Sequence, residues 1–272
     1  MPRRAALLQM CSGIDPDVNA ESVIGAIGAA AMGGASMLFT PEMTALVDRN
    51  RDRGQAHVVP EEQSRFLARV REAAASAGIW VAIGSMAVLR EDGRWANRAI
   101  VIDSSGTIVA RYDKIHMFDV DLATGESWRE SNAYAPGDAP VVVETPLGKL
   151  GLTVCYDLRF PALFEAYGRA MCDLIAIPAA FTVPTGQAHW HVMQRARAIE
   201  ATAYVVSAAQ VGSHQDGRET YGHSLVVDPW GDVLLDMGGE TPGLGFAEID
   251  PARIAAIRAQ VPCLANKRTI AT

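Results

Sequence analysis

The chain has 272 residues, 49% of them apolar, with a net charge of −7. That is enough apolar material for the core of one soluble domain spanning 1–272, and the acidic balance argues against nucleic acid, which needs a concentrated basic face. No apolar run approaches a membrane span, and the stretch after Arg3 and Arg4 is too short for a signal peptide, so no membrane partner and a cytoplasmic address are expected.

In chain order, a first strand is expected at Ala5–Gln9, an Ala/Gly-rich helix at about Asp17–Met32 and a second strand at Ser36–Thr40, ending on Pro41 and Glu42. An amphipathic helix follows at about Pro60–Ala77, with Glu61 and Glu62 in its first turn as the helix dipole favours, then a strand at Ile79–Ser85. Two hairpins come next, Arg98–Asp103 with Thr107–Asp113, and Val141–Glu144 with Lys149–Val154. Beyond Cys155 the pattern gives a helix at Pro161–Ala170, a strand at Leu174–Ile177, a helix at His189–Thr202 and a strand at Tyr204–Ala208. Strands at Ser224–Val227, Val233–Leu235 and Gly245–Ile249 and a helix at Pro251–Gln260 complete the chain. Hairpins interleaved with helices imply an α/β fold of mixed sheets covered by helices.

Four cysteines, at positions 11, 155, 172 and 263, form no CxxC pair and offer neither a zinc knuckle nor a thioredoxin motif. Cys155 stands apart, because the apolar run Leu150–Val154 delivers it into the polar turn Tyr156–Pro161. Two other strand ends carry chemistry: Glu42 after Met37–Pro41, and Lys114 after Ile108–Asp113. Lysine is scarce here, Lys149 and Lys267 being the only others. Each residue has a plainer reading: Cys155 as a core filler, Glu42 as a solvated turn residue, Lys114 as the surface partner of Asp113 or Asp119. Together they suit nucleophilic catalysis, in which a carboxylate takes the thiol proton while a cation stabilises the negative charge.

The segments Phe39–Met43, Tyr112–His116 and Val154–Pro161 resemble the three signature blocks of the nitrilase superfamily of carbon–nitrogen hydrolases, in order, with the resemblance running from about Ala5 to Pro262. The resemblance implies a four-layer α-β-β-α sandwich and a hydrolase that needs no metal or organic cofactor. It implies Glu42 as general base, Lys114 as oxyanion stabiliser, Cys155 as nucleophile and the Tyr156 backbone N–H as a second oxyanion donor. The superfamily commonly has a second glutamate after the lysine; Glu126 and Glu130 compete for that role, and the spacing and Arg-Glu-Ser context match Glu130 better.

The stretches His116–Asp121, Phe181–Trp190, Arg195–Glu200 and Tyr221–Gly231 are similar to the branch that holds the amidases of deaminated glutathione and the omega-amidases, the last two more to the former. The branch implies a small-molecule partner, a terminal primary amide of a 2-oxo acid, with release of ammonia. Deaminated glutathione is the favoured substrate, and 2-oxoglutaramate, another amide or a carbamoyl compound the alternative. Such substrates are anionic, so a net-negative protein must supply a local cation; Arg159 and Arg129 are candidates, each with a structural salt bridge as its competing role. Phe181 and Thr182 join them as candidate substrate contacts. His189, Trp190, Arg197 and His223 read better as packing and hydrogen-bonding residues. The tail, Pro262–Arg268, departs from the branch pattern, and the family resemblance implies a homodimer or higher homo-oligomer. A rival of another class is a redox sensor, in which Cys11, Cys172 or Cys263 resolves an oxidised Cys155.

Overall fold

The structure, a computed structural model, describes residues 3–121, 123, 125 and 127–268. Strand β1 (Arg3–Gln9), helix α1 (Pro16–Met32), β2 (Met37–Phe39) and the short α2 (Arg51–Gln55) lead into α3 (Arg65–Ala77), β3 (Trp80–Leu89), β4 (Trp95–Ile102) and β5 (Ile108–Asp113). A small hairpin of β6 (Asp119–Asp121) and β7 (Ser127–Arg129) precedes β8 (Val141–Thr145), β9 (Gly148–Leu152), α4 (Pro161–Arg169), β10 (Leu174–Ala176), α5 (Val183–Ala201) and β11 (Tyr204–Ser207). The rest comprises β12 (Val211–Ser213), β13 (Glu219–Tyr221), β14 (Leu225–Val227), β15 (Val233–Asp236), β16 (Gly243–Ile249) and α6 (Pro251–Gln260).

Two six-stranded sheets carry the fold, ordered β16-β1-β2-β3-β4-β5 and β15-β14-β11-β10-β9-β8. In each, a parallel centre is flanked by antiparallel strands. The strand period of two sorts the side chains: Ala5 and Leu7 pack in the core shared with the second sheet, and Ala6 and Leu8 in the core beneath α1 and α3. Strand β10 is buried on both faces and therefore reads as an unbroken apolar run, Leu174-Ile175-Ala176, under α4 and α5. The result is a four-layer α-β-β-α sandwich, as expected.

Some boundaries differ from expectation. Helix α3 begins at Arg65, not Pro60, because Ser64 caps it, its Oγ accepting from Leu67 N at 3.2 Å. Glu61 and Glu62 lie in a separate 3₁₀ turn, and the Glu61 carboxylate pairs with Arg98 and Arg111. Helix α5 starts six residues earlier than expected, since Pro184 in its first turn has no N–H to lose there. The β6–β7 and β12–β13 hairpins were not anticipated; neither has an apolar run long enough to announce a strand.

Candidate active site

Glu42 follows β2 on a tight loop. Thr40 Oγ1 accepts from Gly84 N at 3.0 Å and Met43 N donates to Ser85 Oγ at 2.9 Å, which fixes the loop against β3. Gly84 is required by close approach: a Cβ there would collide with the carbonyl oxygens of Thr40 and Pro41 and with Pro178. Lys114 leaves β5 with its N–H on the Asn97 carbonyl, 2.9 Å away. Cys155 opens a 3₁₀ turn, Cys155–Arg159, just beyond β9, in the left-handed region at φ 49°. Such a backbone costs roughly 1–3 kcal/mol for a non-glycine residue and persists where its surroundings hold it.

Asp157 does the holding. Its fully buried carboxylate accepts from Val154 N at 2.9 Å, Tyr112 Oη at 2.6 Å and His116 N at 3.1 Å, with His116 Nδ1 at 2.7 Å. One side chain thereby ties the cysteine turn to β5 and to the segment after Lys114. The N–H of Cys155 is spent on the Pro178 carbonyl at 2.8 Å, whereas that of Tyr156 has no hydrogen-bond partner among the described residues.

Glu42, Lys114 and Cys155 are 5%, 1% and 7% exposed, so the solvated-turn and surface-pair readings fail for Glu42 and Lys114. Lys114 Nζ lies 3.0 Å from Glu42 Oε1 and 2.8 Å from Glu130 Oε2, while Asp113 is taken by Arg98. Glu130 is held by Phe118 N at 2.7 Å, and Glu42 Oε2 accepts from Ala180 N at 3.0 Å. Asn97 completes a ring that sequence reasoning missed, its Nδ2 donating to Glu42 Oε1 and Glu130 Oε1, both at 3.0 Å. Tyr134, also missed, lines the same cleft. Glu126 lies outside the described residues.

Burial alone would discharge Lys114, but Glu130, Glu42 and Cys155 outweigh it and hold the ammonium well above the usual lysine range. Burial first, and then the Glu42 charge, push the Cys155 thiol well above its usual range, with Lys114 acting in the opposite sense. At neutral pH the pair is an ammonium beside a neutral thiol. The sulfur becomes a nucleophile only as its proton leaves, and Glu42, whose charge acts on the thiol, is the adjacent acceptor.

These groups face a cleft of about 720 Å³. Among the described residues six cationic side chains line it, Arg49, Arg51, Lys114, Arg129, Arg159 and Arg218, against the acidic Glu42, Asp48, Glu130 and Glu219. That concentrates cationic side chains around one cleft in a protein of net charge −7. All four substrate-contact candidates line it, but they differ. Arg129 Nη2 is bound to both oxygens of Asp121, at 2.9 and 2.7 Å, and its Nη1 to the Val120 and Trp128 carbonyls. Its competing role as a salt-bridge residue is the observed one. Arg159 has no carboxylate partner among the described residues; it lies over the rings of Tyr156 and Phe181, with Nη1 3.2 Å from His189 Nδ1. Phe181 packs on Trp190, and Thr182 precedes α5.

The helix residues behave as packing groups: Trp190 Nε1 donates to the His223 carbonyl at 2.8 Å, Arg197 Nε to the Leu158 carbonyl at 2.8 Å, and His223 Nδ1 lies 2.8 Å from Asp236. The divergent tail lies against α4, with Lys267 paired to Glu165 at 2.7 Å. All four cysteines are free, and burial pushes the Cys172 thiol up to about 12.

The chain is similar to known proteins over nearly its whole length. A deaminated glutathione amidase of Yersinia enterocolitica is 39% identical over 98% of this chain and 93% of its own length. The fold is similar to that of the NitFhit protein of C. elegans, with a TM-score of 0.89 and 34% identity over 98% of this chain, which spans 65% of that longer one. It is also similar to Nit3 of Saccharomyces cerevisiae, a member of branch 10 of the nitrilase superfamily, with a TM-score of 0.86 and 27% identity over 96% of this chain and 94% of that one. The model of the carbon-nitrogen hydrolase family matches residues 4–259, and the chain belongs to that family of hydrolases acting on carbon–nitrogen bonds other than peptide bonds.

Proposed function

We propose that the chain hydrolyses the ω-amide of a small 2-oxo acid through a Cys155 thioester, with deaminated glutathione as substrate. The observation that carries this reading is a buried ammonium clamped between two carboxylates beside a thiol, on the wall of a cleft lined by arginines. The relatives named as deaminated glutathione amidases support the choice of substrate.

Glu42 takes the Cys155 proton as sulfur attacks the amide carbon, and the Tyr156 N–H and Lys114 Nζ receive the oxyanion. Collapse breaks the C–N bond, and Glu42 returns the proton to the departing nitrogen. Water then adds to the thioester, giving a proton to Glu42 as it does so; the second collapse restores the thiol and leaves the carboxylic acid. Glu130 and Asn97 hold the ammonium and the base in place throughout. One expectation is narrowed. In deaminated glutathione the amide nitrogen belongs to cysteinylglycine, so the leaving group is a dipeptide amine, and ammonia leaves only from primary ω-amides. Arg159, with no counter-ion among the described residues and at the end of the nucleophile's turn, is suited to the 2-oxo carboxylate.

Two coarser features accompany the reading. Val192 and Ile199 on α5, with the neighbouring Trp230 and Leu234, form an exposed apolar face that suits a homodimer. A thiol nucleophile and four unpaired cysteines suit a reducing, cytoplasmic address.

The test is a coupled assay of 2-oxo acid release from deaminated glutathione and from 2-oxoglutaramate, with Cys155→Ala as the blank. A folded protein with a titratable Cys155 that hydrolyses neither would overturn the proposal. A preference for 2-oxoglutaramate would overturn the choice of substrate.

A further inference from the structure

The cleft wall holds guanidinium groups that the mechanism above does not use. Trp128 is part of that wall, and the guanidinium carbons of Arg49 and Arg218 each stand over the Trp128 ring, 5.1 Å from its centroid. The five arginines of the cleft are not equivalent. Arg129 is neutralised by Asp121 with both terminal nitrogens engaged, Arg51 donates to the Arg129 carbonyl at 2.8 Å, and Arg159 sits by the nucleophile. Arg218 is different: the buried Asp216 takes its Nε at 3.2 Å and its Nη2 at 3.0 Å through one oxygen, which fixes the guanidinium, while Nη1 has no partner among the described residues. A planar donor fork locked from behind is pre-organised to receive a carboxylate.

A run of ring contacts joins the residue after Cys155 to this wall: Tyr156 to Phe118 at 5.1 Å, then Phe118 to Trp128 at 6.3 Å between centroids. Two residues of extended chain span about 7 Å, a length of the same order as two successive ring contacts of 5.1 and 6.3 Å. An amide whose nitrogen belongs to a dipeptide, with its acyl carbon at Cys155, would bring its free terminal carboxylate to the Trp128 wall. A primary amide ends at the amide nitrogen and reaches nothing there.

We propose that Arg218, set against Trp128, forms a second anion subsite that binds the terminal carboxylate of a dipeptide leaving group and so selects extended ω-amides over compact ones. The inference rests on the proposed amidase reading. It makes the cleft a two-ended clamp for a dianion, with Arg159 at the 2-oxo end and Arg218 at the peptide end.

The test compares three substrates, deaminated glutathione, its C-terminal carboxamide analogue and 2-oxoglutaramate, on wild type and Arg218→Ala. Neutralising the substrate's end should raise KM about tenfold on wild type with little change in kcat, the loss expected for one charge-assisted contact. Arg218→Ala should show the same rise with the charged substrate and little further rise with the neutral one. Its effect on 2-oxoglutaramate should be at least fivefold smaller. Equal KM for charged and neutral ends on wild type, or an equal loss on all substrates in Arg218→Ala, would overturn the subsite. Calorimetric binding of intact deaminated glutathione to Cys155→Ala, with and without Arg218→Ala, reads the subsite apart from turnover. Weaker binding in the double variant supports it even where no hydrolysis occurs, and unchanged binding overturns it.

Discussion

Replacing Lys114 by methionine tests the clamp most directly. The substitution keeps the side-chain volume but leaves Glu42 and Glu130 facing the gap once filled by an ammonium 3.0 and 2.8 Å away. Removing one partner of a buried ion pair costs about 3–5 kcal/mol, because the remaining charge is uncompensated. For a chain of this size each kcal/mol lowers the melting temperature by roughly 2–4 °C, so a fall of about 6–20 °C is expected. Loss of the oxyanion donor removes a further factor of roughly 10²–10³ in kcat. The decisive comparison is the triple variant Lys114→Met, Glu42→Gln, Glu130→Gln. With no charge left to orphan, it should recover most of the lost melting temperature and remain inactive, since neutral replacement of a buried ionic cluster is often tolerated. Differential scanning calorimetry at pH 7.5 makes the measurement. A Lys114→Met protein that melts within 2 °C of wild type, or a triple variant no more stable than the single one, would refute the reasoning.

Three other outcomes are expected. Because burial and the Glu42 charge hold the Cys155 thiol up, iodoacetamide should modify it slowly at pH 7 and faster only above the ordinary thiol range; Glu42→Gln removes one of those causes, so the rise should move to lower pH even as hydrolysis is lost, as mass spectrometry of the Cys155 peptide would show. Gly84→Ala forces a methyl group against the Thr40 and Pro41 carbonyls and should cost about 1–3 kcal/mol and displace Glu42, lowering kcat more than it raises KM. Val192→Asp places a charge on the exposed face of α5 and should shift sedimentation from dimer to monomer; an unchanged sedimentation profile would count against that interface.

Much of the site was legible because Glu42, Lys114 and Cys155 each lie just beyond a strand, where a polar side chain is conspicuous. Asn97 gave no such signal. It lies inside β4, where an amide in an alternating strand looks like an ordinary outward-facing residue, and only the pairing of β4 with β5 reveals that it faces Lys114. Asp157 was visible as part of a motif, but its work is three-dimensional: it joins residues 45 and 41 positions apart in sequence. The arginines of the cleft wall come from loops and short hairpins whose polar sequences carry no periodicity, so Arg49 and Arg218 could not be placed in the cleft from sequence. Arg129 was legible as a nearby cation, but its partner Asp121 lies across a hairpin that sequence pattern did not announce.

The base and the ammonium hang from one sheet and the nucleophile from the other, for Glu42 follows β2, Lys114 follows β5 and Cys155 follows β9. The reaction centre is therefore a vernier read across the seam where the two halves of the sandwich meet. A slip of one ångström along that seam leaves every helix and strand intact, yet such a misplacement of reacting groups can cost about a hundredfold in rate. Turnover in this molecule is then a finer gauge of how the sheets are seated than any measure of secondary structure, and warming should silence it while the backbone still looks native.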